Sequence, residues 1–343
     1  MITSLTPHMK TFIKKSFYEI GSWPLTQRLV RPWRGKLAIL MYHRVLPLEQ
    51  MDPLNDPNRD LAVSTQLFEE QIQFITNHYP VISMDAVPAH MENPEAPFSI
   101  VITFDDGYRD NLLYALPILQ KYKVPATIYI ATRFPEGDCW MWWFELWELL
   151  QNRSVLEYEW NAQIFHWEIR SLEEKRAAFR GIHPQFLHAS NAFRYKLMDK
   201  LGVVHPRQYT ELCLSWDEII ELSKDPLITI GGHTHTHPNL QYLSEEEITE
   251  EVVNGKKLLE EKIGKKVYHF AYPYGEAGER EFEMIPRHGF KTAVMTWCET
   301  ATKEKIFKMP RYETSRLRAQ ELKVKLSGWN AFWEKNVTGD HLR

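Results

Sequence analysis

Cysteine is scarce in this 343-residue chain: Cys139, Cys213 and Cys298 are odd in number and widely spaced. They supply neither a disulfide framework nor a paired-cysteine zinc site, and they favour a reducing compartment. Long apolar runs are also missing. No segment reaches the roughly 18 apolar residues of a membrane span. The opening stretch MITSLTPHMKTFIKKSFYEIGSW is interrupted by Lys10, Lys14, Lys15 and Glu19, unlike the unbroken apolar centre of a secretory signal. These absences set the expectation of a cytoplasmic protein. Charge of one sign is lacking too, since 41 basic and 45 acidic residues leave −4. A whole-chain basic footprint for nucleic acid is therefore excluded. At 44% apolar and 25% charged the chain is too hydrophobic and too nearly neutral for disorder. It shows no internal repeat and no low-complexity tract.

Two local excesses stand against this ordinary background. Residues 1–36 carry seven basic residues against Glu19 alone, a net of +6, which leaves −10 for the remainder. With Phe12, Phe17, Trp23, Leu29 and Trp33 interleaved, this arm (residues 1–35, ahead of the first strand) fits either a helix packed on the domain or an anionic membrane surface. Tryptophan is the second excess: half of the 12 fall between residues 140 and 167. Sugar rings pack on aromatic planes, so a saccharide grip is one reading. Helical spacing of Trp140, Trp143, Trp147 and Leu150 gives the other, a helix that is simply buried.

Short, continuously apolar runs predict strands at 36–42, 80–83, 99–104, 126–131, 227–231, 267–272, 291–297 and 305–309, each suited to a parallel sheet covered by helices. Helices are expected after Ser64, after Ser215 with Glu218, and after Ser244 with Glu247, the last ending at Gly264. Alternating strand and helix makes the class α/β, and seven to eight strands point to a barrel over residues 36–315. The alternation lapses at about 139–214, where a hairpin turning near Asn161 and a charged helix, SLEEKRAAFR, form an insertion. Residues 316–343 read as a C-terminal helix.

Two strand ends carry chemistry. Thr103-Phe104-Asp105-Asp106-Gly107 follows the run SIVI, and Gly231-Gly232-His233-Thr234-His235-Thr236-His237-Pro238 follows LITI. Asp-Asp-Gly by itself is common in turns. Adjacent carboxylates are costly unless a cation or a proton relieves them. Three alternating histidines at a second strand end supply what a divalent metal needs. One aspartate and two histidines would hold the ion, leaving the other aspartate to accept a proton from water.

Together these segments resemble the two signature motifs of the polysaccharide deacetylases, carbohydrate esterase family 4. Phe270-Ala271-Tyr272-Pro273-Tyr274-Gly275 is similar to the third motif, and the YHRV at 42–45 resembles the opening strand of the poly-N-acetylglucosamine deacetylase branch. The resemblance implies a distorted (β/α) barrel and a divalent metal, most often Zn²⁺, with Co²⁺ or Ni²⁺ as alternatives. It also implies hydrolysis of an N-acetyl group from a saccharide or glycolipid precursor. Carried over residue by residue, Asp105 is the base, Asp106, His233 and His237 the metal ligands, and the Tyr274 backbone N–H an oxyanion donor. His235 is expected to point elsewhere.

Two departures follow from the same comparison. Ala271 stands where the family often has an arginine beside the catalytic aspartate, and Arg311, expected after the last strand, is the candidate to replace that charge. No C-terminal Leu-x-His occurs, since His341 is the only histidine after His288. In the permuted order of the poly-N-acetylglucosamine branch, His43 takes the place of the acid. Competing classes are a non-catalytic saccharide binder, which has no need of all four residues, and a manganese-dependent nucleotide-sugar transferase. The transferase leaves the histidines unexplained and lacks a phosphate-cradling loop.

Overall fold

A computed structural model describes residues 16–30, 35–51, 57, 61–138, 140–203, 207–296, 305–329 and 332. Expectations for Cys139, Cys298, His341 and most of the basic arm lie outside those residues, while the described part of 316–343 holds a helix at Ala319–Leu326. The first strand, β1 (Leu37–Tyr42), is followed by two short strands that pair with each other, β2 (Arg44–Leu46) and β3 (Ala62–Ser64). After β4 (Ser99–Phe104) and β5 (Ala126–Ile130), an antiparallel hairpin, β6 (Val155–Trp160) and β7 (Gln163–Glu168), stands apart. The chain then adds β8 (Ile228–Gly232), β9 (His269–Ala271), β10 (Thr292–Thr296) and β11 (Met309–Glu313). Seven strands close a barrel in the order β1-β11-β10-β9-β8-β5-β4, every neighbour parallel. Helices pack around it, so the fold is a distorted (β/α) barrel.

Strand alternation sorts the buried side chains into two layers. Leu37, Ile39, Val101, Tyr129, Ala271, Val294 and Met309 share one cluster with Met84, Val87 and Met91 from the segment before β4. The intervening residues, among them Ala38, Leu40, Tyr42, Ile100, Ile102 and Phe104, join a second cluster with helix residues such as Phe68, Ile72 and Ile75. Each fully buried aliphatic side chain contributes about 1.5–3 kcal/mol, so both layers fix strand register. Gly231 is required where β8 passes β5, because a Cβ there would run into the Tyr129 ring.

The expected helix starts form as capped turns. Ser64 accepts from Leu67 N, Ser215 pairs with Glu218 and Ser244 with Glu247 as capping boxes, and Gly264 ends its helix at φ 67°. The hairpin turns at Asn161 and Ala162, with φ 51° and 59°, as a two-residue primed turn requires. The charged helix spans Leu172–Leu187, with its own capping box at Ser171 and Glu174.

Two strand expectations are corrected. Residues 80–83 make a single bridge, Val81 to Ile100, because from Ile102 onward that edge of β4 is taken by β5. The last strand is Met309–Glu313 rather than 305–309, so Arg311 lies within it and not after it. Pro310 disguises the run, since proline reads as a strand breaker.

Candidate active site

Asp105 and Asp106 continue directly from β4, and Asp105 N donates to Tyr42 O at 3.0 Å, extending the ladder onto β1. A φ of 72° at Asp106 then turns the chain and separates the two carboxylates. On β8 the equivalent step is His233, whose N–H donates to Ile130 O at 3.0 Å. Thr234 and His237 follow with φ of 68° and 57°, and Tyr274, after β9, has φ 61°. Four of the seven positive-φ residues other than glycine among the described residues therefore sit in these three loops. Each costs about 1–3 kcal/mol, a strain that the surrounding contacts must over-determine.

The loops bring Asp106, His233 and His237 together. Asp106 Oδ1 lies 3.4 Å from His233 Nε2 and 3.2 Å from His237 Nε2, and the two Nε2 atoms are 3.2 Å apart. One ligand atom from each falls within 4.8 Å of the others, and all three residues are buried. The His233 Nδ1–H donates to Ala271 O at 2.7 Å, which leaves Nε2 as the free lone pair. A buried carboxylate between two imidazoles fits a divalent, borderline-soft cation with open positions for other ligands. Burial pushes the Asp106 carboxyl up, but hydrogen bonds from His233 and His237 outweigh it and hold the group well below the usual range.

Asp105 stands beside this cluster in a different environment. It accepts two hydrogen bonds from Arg311, Nη1 to Oδ1 and Nη2 to Oδ2, both 2.6 Å. Both side chains are buried, and the guanidinium also rests over the Tyr129 ring at 5.7 Å. Burial raises the Asp105 carboxyl, but Arg311, then His233 and His43, overcome it and keep the group ionised below its ordinary value. The charge absent at Ala271 is thus present on β11, directed at the same carboxylate.

His43 follows β1 and is half-buried, with its Nδ1 lacking a hydrogen-bond partner among the described residues. A positive charge on it would act on both aspartates. The turn after Gly107 fixes its backbone: Asn111 Nδ2 donates to His43 O at 2.8 Å, while Asp110 accepts from Arg44 Nε and Val45 N, each at 2.9 Å. His235 points away, bonded through Nδ1 to Thr132 Oγ1 at 2.7 Å. Tyr274 stacks edge-on against the His237 ring, with centroids 4.7 Å apart.

Three of the segment's six tryptophans are packed inside, while Trp140, Trp160 and Trp167 are half-buried. Trp142, Trp143 and Trp147 are 2–4% exposed in the helix Trp142–Gln151, so they offer no open face to a sugar. Sequence reasoning misses two groups of this segment that reach the site. Trp142 Nε1 donates to Tyr274 Oη at 3.0 Å, and Arg194 Nη1 lies 3.4 Å from His237 O. Nothing in NAFRYKLMDK separates Arg194 from a surface arginine.

Comparison with known proteins agrees with this geometry. Residues 92–293 match the family described as polysaccharide deacetylase. YxkH of Bacillus subtilis (strain 168), whose name carries the same family, is 28% identical over 121 residues, 34% of this chain. That match spans 38% of the length of the relative. Among solved structures, the Streptococcus pyogenes deacetylase PplD in complex with acetate superposes with TM-score 0.58 at 20% identity, covering 85% of this chain and 98% of its own. IcaB from Ammonifex degensii gives 0.56 at 18% identity, covering 85% and 97%. These two likenesses establish the shared barrel, and the family match over more than half of the sequence establishes descent: the chain belongs to the polysaccharide deacetylase family.

Proposed function

We propose that this chain is a metal-dependent N-deacetylase that hydrolyses the acetamide of an amino sugar, releasing acetate and the free amine. The observation that carries the reading is the pairing of two sites: a buried Asp106/His233/His237 cluster and, next to it, Asp105 held ionised by Arg311. Asp106, His233 and His237 would hold a divalent cation, Zn²⁺ in the first instance, which would supply Lewis acidity. Asp105 accepts the proton from the attacking water, and Arg311 keeps its carboxylate ionised and oriented. The Tyr274 backbone N–H stabilises the oxyanion. His43 delivers a proton to the departing amine, which is otherwise a poor leaving group. Amide C–N cleavage is thereby balanced by one water, its proton and hydroxide ending on amine and acetyl carbon.

We propose further that the saccharide is carried on a lipid and met at an anionic membrane surface. Support comes from the N-terminal segment, where Trp23, Leu25 and Leu29 are 59–68% exposed within a region of net +6. No helix among the described residues is long and apolar enough to cross a membrane. Acetate release from N-acetylated mono- and oligosaccharides and lipid-linked precursors, before and after chelation and metal return, tests the activity. Metal-restored acetate release is expected; saccharide binding without acetate from any of the panel would instead make the chain a non-catalytic binder.

A further inference from the structure

The two histidines of the cluster are held in unlike ways. His233 is fixed through its own ring, by Nδ1–H to Ala271 O. His237 has no such brace, since its Nδ1 is buried without a hydrogen-bond partner among the described residues. Metal-binding histidines normally use that second nitrogen to set ring orientation. For His237 the orientation must come from its backbone and from the walls around the ring.

Part of each comes from Tyr274, Phe134 and Thr234, and the rest from segment 139–214. Trp143 lies edge-on to the His237 ring at 5.7 Å, and so does Tyr274 at 4.7 Å. The His237 carbonyl receives Tyr274 Oη–H at 3.2 Å and Arg194 Nη1 at 3.4 Å. Tyr274 Oη in turn accepts from Trp142 Nε1 at 3.0 Å, and its ring lies under the Arg194 guanidinium at 4.9 Å. Arg194 is 1% exposed and bonds oxygens of neutral groups: Phe186 O, Leu187 O, Asn191 Oδ1, His237 O and the Tyr274 hydroxyl. No carboxylate pairs with it among the described residues. A buried cation without a counterion is expensive to keep for packing alone, and an apolar side chain would fill the space at less cost.

We propose that Arg194 and Trp142 are positioning residues for the metal site, clamping Tyr274 and the His237 backbone so that His237 Nε2 faces Asp106 and His233. The Trp-rich segment then serves the metal centre as its brace. This inference rests on the proposed metal site at Asp106, His233 and His237.

The test uses Trp142→Phe, which removes the indole donor yet keeps an aromatic ring against Phe186, with Tyr274→Phe, the double variant and Arg194→Lys. Each purified full-length protein is stripped and titrated with Co²⁺, reading the ligand-field absorption of the bound ion, and kcat and KM are measured separately. Trp142→Phe is expected to weaken Co²⁺ binding on the order of 10-fold and to alter its spectrum. It should lower kcat while leaving KM nearly unchanged. Because Trp142 acts through the Tyr274 hydroxyl, the double variant should be no weaker than Tyr274→Phe alone. Arg194→Lys keeps the charge but cannot span the same carbonyls, and should weaken Co²⁺ comparably. Unchanged affinity and spectrum in Trp142→Phe, or losses that multiply in the double variant, would overturn the clamp. Failure of the unaltered protein to bind Co²⁺ would overturn the metal-site reading itself, a different result from a wild-type site that ignores Trp142.

Discussion

Arg311 illustrates how much one residue decides. With both partners buried, deleting the guanidinium leaves a carboxylate in low dielectric, so Arg311→Met should cost about 3–5 kcal/mol. The pH consequence has a definite sign. Asp105 is depressed in the folded state, so its stabilising contribution is present above the ordinary carboxylate value and is lost as pH falls through the lower folded one. In Arg311→Met burial acts on Asp105 with its main opposing charge gone, and the carboxyl rises. The acid limb of kcat/KM should therefore move to higher pH in the variant, into a range where the native enzyme is still flat. His43→Ala is a separate case: it should retain metal, lose about 10²–10⁴-fold in kcat and lose the alkaline limb. Near-normal turnover with that limb intact would assign the proton to another group. The Asp106, His233 and His237 cluster and Asp105 were legible because each motif sits at the end of a short apolar strand, and barrel geometry brings such ends to one face. Arg311 was legible only as a charge missing at Ala271. Arg194 and Trp142 were not legible at all, because their roles depend on folding a segment with no strand-helix rhythm back over the barrel.

At the scale of the element, the helix Glu245–Ile263 does more than cover the sheet. Glu251 accepts from His235 N at 3.0 Å, Thr236 N at 2.7 Å and Thr236 Oγ1 at 2.6 Å, holding the histidine loop by its backbone. One turn on, Gly255 lets the helix approach so closely that a Cβ would sit 2.8 Å from the Thr234 carbonyl group. Alanine at a helix interior normally adds about 1 kcal/mol of stability over glycine. Here overpacking of about 1–3 kcal/mol opposes it and falls on rigid backbone at a positive-φ residue. Gly255→Ala should lower the melting temperature, and should weaken metal binding because Thr234 lies between His233 and His237, the proposed ligands. A raised melting temperature with unchanged metal affinity would show that the loop gives way freely. The helix itself was evident from its capping box and Gly264, but an internal glycine carries no signal of what it approaches. Strand β11 shows the opposite difficulty: Pro310 argues against a strand locally, and pairing with both β1 and β10 overrides it.

Across the whole molecule, charge and apolar exposure are unevenly distributed along the sequence, and both are high in its first 36 residues. Residues 1–36 hold +6 of a chain whose total is −4. Ile20, Trp23, Leu25 and Leu29 are four of the eleven large hydrophobic side chains exposed among the described residues. The opposite face of this segment is packed: Val30 shares a cluster with Val324 and Trp329, and Gly21 lies against the Trp329 ring. The packing reading of the arm thus holds for one face, and the exposed face is the one we propose meets a membrane surface. A docked helix with Trp23, Leu25 and Leu29 exposed, in a stretch of sequence of net +6, is proposed here as an interfacial anchor, in which lysines and arginines near an anionic surface contribute about 1 kcal/mol each. Pelleting with vesicles containing phosphatidylglycerol is expected, with little on phosphatidylcholine alone. Binding should weaken between low salt and 0.1 M and beyond, where charges farther apart than about 10 Å are screened. Changing Trp23, Leu25 and Leu29 together to serine removes exposed apolar area without touching Val30 or Gly21. The triple variant should stay folded, hydrolyse a soluble acetylated saccharide at the native rate and no longer pellet. Loss of a dimer in that variant, with vesicle binding absent from the native protein as well, would make the face a contact between two copies of the chain instead.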